Sequence, residues 1–369
     1  MENETIKIGD GDLPEEYFGS LLKYLKDDNI TDIDYNGREL WVKDIYNVKE
    51  KVKEPDVTPE WVDTFTQHIS DAVSKSFNKV ENVLEAETKT LRITCVFDSV
   101  AMTGKAFCIR KTTLSPRVSY DIAIKEGYAS KEVLNLLINC IWAKMNVIVC
   151  GMPGVGKTEL AKFLFQAIPD SEKVITIEDN PELHYPEVKP NGDSIELRVD
   201  DNFDYSKAIK TCLRLNPDWM MLSEVRSVEA VHLIENWHTG VKGITTLHTD
   251  DVRKIPDRLL NMMPKLDAQR LENSVYDCLD IGLLLRKRMA PDGKKYRYID
   301  QMCFFSRYNG ENRCYPIVEE GMLVTEQIPE EKLKMLGREG IYDPFTCSPE
   351  LLKKMKGEKN EENLLLSKL

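Results

Sequence analysis

The first third of the chain alternates between apolar and polar residues over short runs. Residues 30–44 (ITDIDYNGRELWVKD) place Asn36 and Gly37 between two such runs, and an Asn-Gly pair accepts the positive φ angles of a tight hairpin turn. Residues 88–97 (TKTLRITCVF) and 105–111 (KAFCIRK) repeat the alternation, so that every second side chain is apolar. This pattern predicts strands with one buried face.

A helix is predicted between these strands. Thr58 followed by Pro59 is a typical start, because threonine can cap the first turn and proline fits into it. Apolar residues then recur on one helical face at Trp61, Val62, Phe65, Ile69 and Val73. Hairpins beside a helix predict a small α+β domain over residues 1–111.

After a short interval the pattern changes to helices that alternate with apolar strands. Residues 112–130 contain Pro116 and little apolar periodicity, which predicts a linker with a short helix before Ser130 caps the next helix. Repeated alternation of strands and helices predicts a largely parallel sheet with helices on both faces. We expect its strands at residues 146–150, 173–178, 194–199, 219–223 and 243–247.

The end of this α/β domain, which we place at residues 131–318, differs from the rest. Two apolar runs within residues 281–305 flank the turn signal Pro-Asp-Gly at 291–293 and predict a hairpin. Residues 319–369 are charged and weakly patterned, so we expect short helices or a loose tail there.

Residues 146–165 (NVIVCGMPGVGKTELAKFLF) carry the strongest chemical signal. Residues 151–158, here called the phosphate loop, fit GxxxxGK[ST] between an apolar strand and an apolar-periodic helix. Glycines let backbone N–H groups surround a phosphate, and the helix N-terminus adds partial positive charge. Lys157 can reach the β- and γ-phosphates, and the Thr158 hydroxyl can bind Mg²⁺. The predicted nucleotide contacts are Gly151, Pro153, Gly154, Val155, Gly156, Lys157, Thr158 and Glu159.

Two of the predicted strands end on carboxylates. Glu178 follows one and Glu224 follows another, with Arg226 two residues later. Since the carboxyl ends of parallel strands open on one edge of a sheet, both carboxylates should lie near the γ-phosphate. One could position or deprotonate water while the other holds Mg²⁺. A further strand brings His248 to the same edge, either as a γ-phosphate contact or as a structural histidine.

Composition excludes several classes of protein. The net charge of −12 over 369 residues argues against a general nucleic-acid binder, although a local basic groove is compatible with it. No run of 18 apolar residues and no secretory signal occur, and the nine cysteines lie singly without a CxxC pair. We therefore expect a cytoplasmic protein with reduced thiols. An NKxD guanine reader after the phosphate loop and an LSGGQ-like stretch are both missing from the sequence, which argues against a GTPase and an ABC-type ATPase.

Four ordered segments resemble the secretion ATPase superfamily, which includes the traffic ATPases of type IV secretion and conjugation and the motors of type II secretion and of type IV or tight-adherence pili. The likeness covers roughly residues 25–305. The matching boxes are Walker A at 151–158, the aspartate box TIEDxxEL at 176–183, the atypical Walker B box LRxxPDxxxxGExR at 213–226, and the end of the histidine box at 246–248.

The resemblance implies roles for the residues at the sheet edge. Glu224 would be the catalytic carboxylate, and Glu178 would assist at water and at Mg²⁺ together with Thr158. Arg226 would hold the strand end or sense nucleotide, and His248 would be functional. The resemblance also implies that Arg92 and Arg110, which are otherwise ordinary strand charges, reach nucleotide from the N-terminal domain in a closed ring.

Two positions depart from the family pattern. Ser223 replaces the glycine before the catalytic glutamate, and we expect this small residue to be tolerated. Residues 239–243 lack the first histidine of the usual TGHxG, and His238 lies nearby but out of register. The four-cysteine zinc insertion of some type II motors is missing from the sequence, which favours the type IV secretion or tight-adherence branch.

The sequence and the resemblance together predict a RecA-like ATPase that uses ATP and Mg²⁺. We expect a ring, as a hexamer, at the inner face of the cell membrane, where it would act on inner-membrane secretion or pilus platform proteins. Two alternatives stay open at this stage: a nucleotide-dependent switch or scaffold with negligible turnover, and a RecA-like DNA translocase.

Overall fold

The computed structural model describes residues 5–8, 11–227, 229–263 and 268–356. The chain forms two compact units: Met1–Thr113 with Met289–Lys295, and Leu114–Arg288 with Tyr296–Leu369. Among the described helices, none combines the length and the apolar character that crossing a membrane requires.

The first unit is built on a six-stranded antiparallel sheet. Its elements in chain order are β1 (Thr5–Ile8), β2 (Gly11–Pro14), a 3₁₀ helix (Glu15–Leu21), α1 (Leu22–Lys26), β3 (Ile30–Tyr35), β4 (Leu40–Asp44), β5 (Lys49–Val52), α2 (Pro59–Ala72), β6 (Val83–Glu87), β7 (Leu91–Val96) and β8 (Ala106–Lys111). The strand order is β5-β4-β3-β8-β7-β6, and β1 and β2 form a separate two-stranded sheet. α2 begins at the predicted signal, since the Thr58 side chain accepts the N–H of Trp61. Alternate residues of β7 are buried against this helix in one apolar core.

The second unit carries a nine-stranded sheet. Its elements are α3 (Tyr120–Lys125), α4 (Lys131–Trp142), β9 (Val147–Cys150), α5 (Lys157–Phe165), β10 (Val174–Glu178), α6 (Tyr185–Val188), β11 (Ser194–Arg198), α7 (Tyr205–Arg214), β12 (Trp219–Leu222), α8 (Glu229–His238), β13 (Ile244–Leu247), a 3₁₀ helix (Val252–Lys254), α9 (Ile255–Leu260), α10 (Ala268–Cys278), β14 (Ile281–Met289), β15 (Lys295–Tyr308), β16 (Glu311–Glu319), β17 (Met322–Leu323), α11 (Glu330–Arg338) and α12 (Pro349–Met355). The strand order is β11-β10-β12-β13-β9-β14-β15-β16-β17.

The six strands from β11 to β14 in this order are parallel. All five strands predicted for the parallel sheet are present, and the α/β fold class is confirmed. Separate apolar cores on the two faces contain α4 with α5 and α7 with α8. Because parallel strands share one direction, β9, β10, β12 and β13 end on the same edge, where the phosphate loop lies.

The predicted linker needs correction. Residues 114–130 belong to the second unit, and Tyr120, Ala123 and Tyr128 are buried in its core. The Tyr120 hydroxyl donates to the side chain of Asn135 at 2.7 Å, and the carbonyl of Tyr128 accepts the N–H of Ile299 at 2.8 Å. Three buried residues form too short a pattern to reveal this packing from sequence.

The predicted hairpin is present as β14 and β15 with its turn at residues 291–293, but its domain assignment needs correction, because Met289–Lys295 belongs to the first unit. There the N–H of Lys295 donates to the Tyr46 carbonyl at 3.1 Å, and the ammonium of Lys294 lies 4.8 Å from the centre of the Tyr46 ring. A turn signal predicts a change of direction, and it does not indicate which part of the chain the turn contacts.

The C-terminal region is folded through residue 356 and contains the predicted short helices, α11 and α12, so this part of it is not a loose tail. Leu336, Leu351 and Met355 are buried in the core that contains α4. The side-chain amides of Asn135 and Asn139, on α4, donate to carbonyls at residues 344–346. Residues 357–369, the rest of the predicted tail, lie outside the described residues.

Lys332 anchors this region through a buried ion pair. Its ammonium donates to Asp280, whose other carboxylate oxygen accepts the N–H of Asn146 at 2.7 Å. Removing one partner of a buried pair leaves an uncompensated charge and typically costs about 3–5 kcal/mol. We expect Lys332→Ala to lower the free energy of unfolding of the second unit by about 3 kcal/mol in urea titrations. The double variant Lys332→Met/Asp280→Asn should recover part of this loss, and an unchanged midpoint in Lys332→Ala would rule out a stabilising anchor.

Candidate nucleotide site

The phosphate loop follows the buried strand β9 and leads into α5. Gly151, Gly154 and Gly156 have φ values of 144°, 71° and 96°, in the region that favours glycine. A Cβ atom at Gly151 would stand 2.7 Å from Cγ2 of Val155 and 2.8 Å from the carbonyl oxygen of Leu285. The loop conformation therefore requires glycine at its first position for space as well as for backbone angle.

Lys157, His248 and Glu224 form a chain of contacts across the sheet edge. The Lys157 ammonium donates to the Gly151 carbonyl at 3.1 Å and lies 3.2 Å from Nδ1 of His248. Nε2 of His248 lies 2.7 Å from a carboxylate oxygen of Glu224. Burial lowers the pKa of Lys157, and the Glu224 carboxylate is the largest effect opposing this. The structure thus brings together three residues that come from the phosphate loop and from the ends of β13 and β12.

Arg226 holds the other side of Glu224. Its Nε donates to the second carboxylate oxygen of Glu224 at 2.8 Å, and its Nη1 donates to Asp179 at 2.8 Å. Both oxygens of Glu224 are therefore engaged, one by His248 and one by Arg226. Asp179 was not among the predicted site residues, although its place after Glu178 in the aspartate box was a usable signal.

The acid that contacts Thr158 is Glu182, whereas the sequence prediction paired Glu178 with Thr158. The Thr158 hydroxyl donates to Glu182 at 3.2 Å. Glu178 is only 5% exposed, and its carboxylate accepts the backbone N–H of Glu182 at 2.6 Å and of Leu183 at 3.1 Å. Burial raises the pKa of Glu178 to about 8, against the effect of these two N–H groups. A carboxyl group that is largely protonated and bonded to the backbone is suited to ordering the loop that presents Glu182.

The raised pKa of Glu178 has a measurable effect on stability. The folded protein keeps this proton up to about pH 8, whereas the unfolded chain releases it near the ordinary value of 4.5. The stability that this proton contributes to the folded state is complete below pH 4.5. It decreases above that value and is lost once the pH has risen through 8. We expect the unfolding free energy of the wild type to fall relative to Glu178→Gln by on the order of 3 kcal/mol between pH 5 and pH 9. Chemical denaturation at both pH values tests this, with Glu182→Gln as the control from the same loop. A parallel pH dependence in wild type and Glu178→Gln would contradict it.

The structure also places Ser223 and His238, the residues at the two departures from the family pattern. Ser223 continues the strand end, where its carbonyl accepts the hydroxyl of Thr246 at 2.7 Å. This backbone contact does not depend on the side chain at 223. His238 ends α8 as an exposed residue, and none of its contacts in the described structure involves Glu224 or His248.

Arg92 and Arg110 lie in the first unit. They are direct cross-strand partners on β7 and β8. Nε of Arg110 lies 3.2 Å from an Asp32 oxygen, and Nε of Arg92 lies 3.9 Å from Glu87. Like charges placed opposite each other in a sheet are destabilising, so stability does not explain why two arginines occupy these positions. Their contact with nucleotide stays a prediction.

Comparison with known proteins gives two sequence relatives of different coverage. An uncharacterised protein of Bacillus anthracis is 27% identical over 278 residues, which is 73% of this chain. The type IV secretion system protein VirB11 of Bartonella quintana is 34% identical over 131 residues, 34% of this chain. The alignments span 62% and 36% of these relatives' own lengths.

Structural comparison gives the same fold. The ATPase DotB of Yersinia pseudotuberculosis superposes with a TM-score of 0.63 at 12% identity, and the superposition covers 97% of this chain and all of that one. The family model for type II/IV secretion system proteins matches residues 84–362, which include all four boxes at the sheet edge. The chain belongs to the type II/IV secretion system protein family.

Proposed function

We propose that this protein binds ATP with Mg²⁺ and hydrolyses it. The observation that carries the proposal is the continuous contact from Lys157 through His248 to Glu224. This contact connects the Lys157 ammonium, which would bind phosphate, with the Glu224 carboxylate, which would position water. A triphosphate in the phosphate loop would place its γ-phosphate within reach of both ends of this chain of contacts.

The residues present suit both ATP and Mg²⁺. The backbone N–H groups of the phosphate loop and the Lys157 ammonium are donors for the phosphate oxygens. The Thr158 hydroxyl and the Glu182 carboxylate, which already contact each other, offer the oxygen ligands that Mg²⁺ prefers. When bound, Mg²⁺ would neutralise charge on the phosphate chain.

In the proposed mechanism the protein supplies position and charge. Lys157 leaves His248 and takes a phosphate oxygen, so that His248 can donate to the γ-phosphate. Glu224, held through its other oxygen by Arg226, accepts the proton of the attacking water. Arg226 also ties the strand end to Asp179, which keeps the carboxylate in place during the reaction.

We further propose that the protein works as a ring, as a hexamer, at the cytoplasmic face of a membrane. There it would power a type IV secretion, conjugation or pilus-assembly machine through its platform proteins. Membership of the type II/IV secretion system protein family and the likeness to a type IV secretion system protein support this assignment. In such a ring Arg92 and Arg110 would approach nucleotide, and domain closure upon ATP binding would produce the motion.

One observation favours a second candidate, a nucleotide-dependent switch with negligible turnover. Both oxygens of Glu224 are engaged, and a carboxylate that stays bound to His248 and Arg226 is a weaker base for water. In that case ATP would bind and change the conformation without being cleaved.

Titration calorimetry with ATP and Mg²⁺, followed by phosphate release from the same preparation, separates the candidates. The proposal predicts binding together with Mg²⁺-dependent phosphate release that EDTA abolishes. Tight binding with no release, even at high protein concentration, would favour the switch. Failure to bind ATP would contradict both.

A further inference from the structure

The strand β14 continues past the end of β9 and lies along the phosphate loop. Ile281–Leu284 pairs in parallel with Val147–Cys150. Beyond this pairing, the carbonyl oxygen of Leu285 would lie 2.8 Å from a Cβ atom at Gly151. The neighbouring strand β15 returns on the far side of β14. Side chains from this hairpin are therefore placed beside the loop.

Two of these side chains are cationic. Nζ of Lys287, on β14, lies 3.6 Å from the position that a Cβ atom of Gly154 would take. Nε of Arg297, on β15, lies 3.2 Å from the equivalent position at Gly156. Both groups thus approach the last two glycines of the phosphate loop, of which Gly156 caps α5. The four boxes of the family resemblance include neither residue.

The surroundings of Arg297 contain more positive charge. Burial lowers the pKa of Arg297, Tyr128 and Glu159 oppose this, and the nearby Arg117 adds to it. The backbone N–H of Arg117 donates to Glu159 at 2.9 Å, whereas its buried Nε makes no hydrogen bond within the described structure. Buried donors and adjacent cations are costly unless an acceptor or anion compensates them. Glu159 and Glu126 supply part of that negative charge, and a phosphate beside Gly156 would add to it.

We propose that Lys287 and Arg297 bind the phosphate chain of the nucleotide, at the part that ADP and ATP share. The inference rests on the proposed function, in which the phosphate loop binds ATP. Loop N–H groups of this kind surround the α- and β-phosphates, and both cations lie beside the loop glycines. His248 and Glu224 lie at the strand ends, where the γ-phosphate would be, and Lys157 at the start of α5 contacts His248. The two sets of residues therefore divide the phosphate chain between them.

The test measures dissociation constants of fluorescent ADP and of a fluorescent non-hydrolysable ATP analogue for the full chain. We expect Lys287→Ala and Arg297→Ala each to weaken both nucleotides about tenfold, the loss typical of one charge-assisted hydrogen bond, so that the ratio of the two constants is unchanged. His248→Ala should weaken the ATP analogue and leave ADP unaffected. The variants Lys287→Arg and Arg297→Lys, which keep the charge, should recover most of the affinity.

Arg286→Ala is the matched control on the same strand. Arg286 is bound to Asp300 at 2.7 Å and to the carbonyl of Asp250 at 3.0 Å, so its removal should leave both affinities unchanged. Unchanged affinity in Lys287→Ala and Arg297→Ala would overturn the inference. It would also fall if only Arg297→Ala lost affinity and Arg297→Lys failed to restore it, because that pattern indicates a packing role. A wild type that binds neither nucleotide would instead refute the proposed function, which is established first.

Discussion

Replacing Lys157 with alanine is expected to abolish turnover and to weaken ATP binding severely. The ammonium is the group that neutralises charge on the β- and γ-phosphates, and within the loop it already lies in hydrogen-bond contact with the Gly151 carbonyl. Removing one preorganised donor of this kind costs roughly 100- to 1,000-fold in rate, and lost binding adds to that cost. Phosphate release under saturating Mg²⁺ and ATP measures the effect.

The control for Lys157→Ala is Lys131→Ala, which removes an exposed lysine from the first residue of α4. This control should hydrolyse ATP at the wild-type rate. Since the aliphatic part of Lys157 is also buried, thermal unfolding of both variants should be compared. Turnover close to wild type in a folded Lys157→Ala protein would mean that the phosphate loop is not the catalytic site.

The second large effect is expected for Glu224→Gln, in which ATP still binds but is not cleaved. Glutamine keeps the size of the side chain and can accept the hydrogen bond of Arg226, but it cannot accept a proton from water. Loss of general base catalysis typically costs about 100- to 10,000-fold in rate. ATP affinity should change little, because the phosphate loop and Lys157 are intact.

Glu182→Gln provides the matched comparison for Glu224→Gln. Both changes remove a carboxylate near the phosphate loop, but Glu182 contacts Thr158, where Mg²⁺ would bind. We expect Glu182→Gln to raise the Mg²⁺ concentration that half-maximal activity requires, while Glu224→Gln stays inactive at any Mg²⁺ concentration. Substantial turnover in Glu224→Gln would assign the base to another residue.

Sequence alone predicted the sheet edge well because its signals are local. Buried strands lead to the phosphate loop, to Glu178 and to Glu224. Each of these strands can be recognised from its own apolar residues. The rule that parallel strands share their carboxyl ends then brings them together. The rule places His248 and Glu224 at one edge, whereas their contact at 2.7 Å depends on side-chain conformations that the sequence does not give.

The sequence did not reveal which of two neighbouring acidic side chains makes a given contact in the site. Glu178 and Glu182 lie in one acidic segment, and only the direction of the backbone at residues 182 and 183 shows that Glu178 is bonded to amides while Glu182 faces Thr158. Charge spacing carries no information about that direction. The sequence also did not reveal that Lys287 and Arg297 approach the phosphate loop. Their position depends on how far β14 extends past β9, and the pairing of strands in the sheet sets that length.

The same limit explains the C-terminal region and the hairpin turn. α11 and α12 bury apolar side chains in the core, and long-range polar contacts such as the pair of Lys332 with Asp280, 52 residues apart in the chain, also hold them. Polar anchors of this kind look like surface charge in a sequence. Their partners become visible only when the chain is folded.

The central claim is a ring whose ATP hydrolysis depends on Glu224. The most direct test measures Mg²⁺-dependent phosphate release over a wide range of protein concentration, for the wild type beside Glu224→Gln. The account predicts that the specific activity of the wild type rises with concentration as subunits assemble, and that the variant is inactive throughout. A specific activity that is independent of concentration would contradict the ring, and equal activity in the variant would contradict the catalytic role of Glu224.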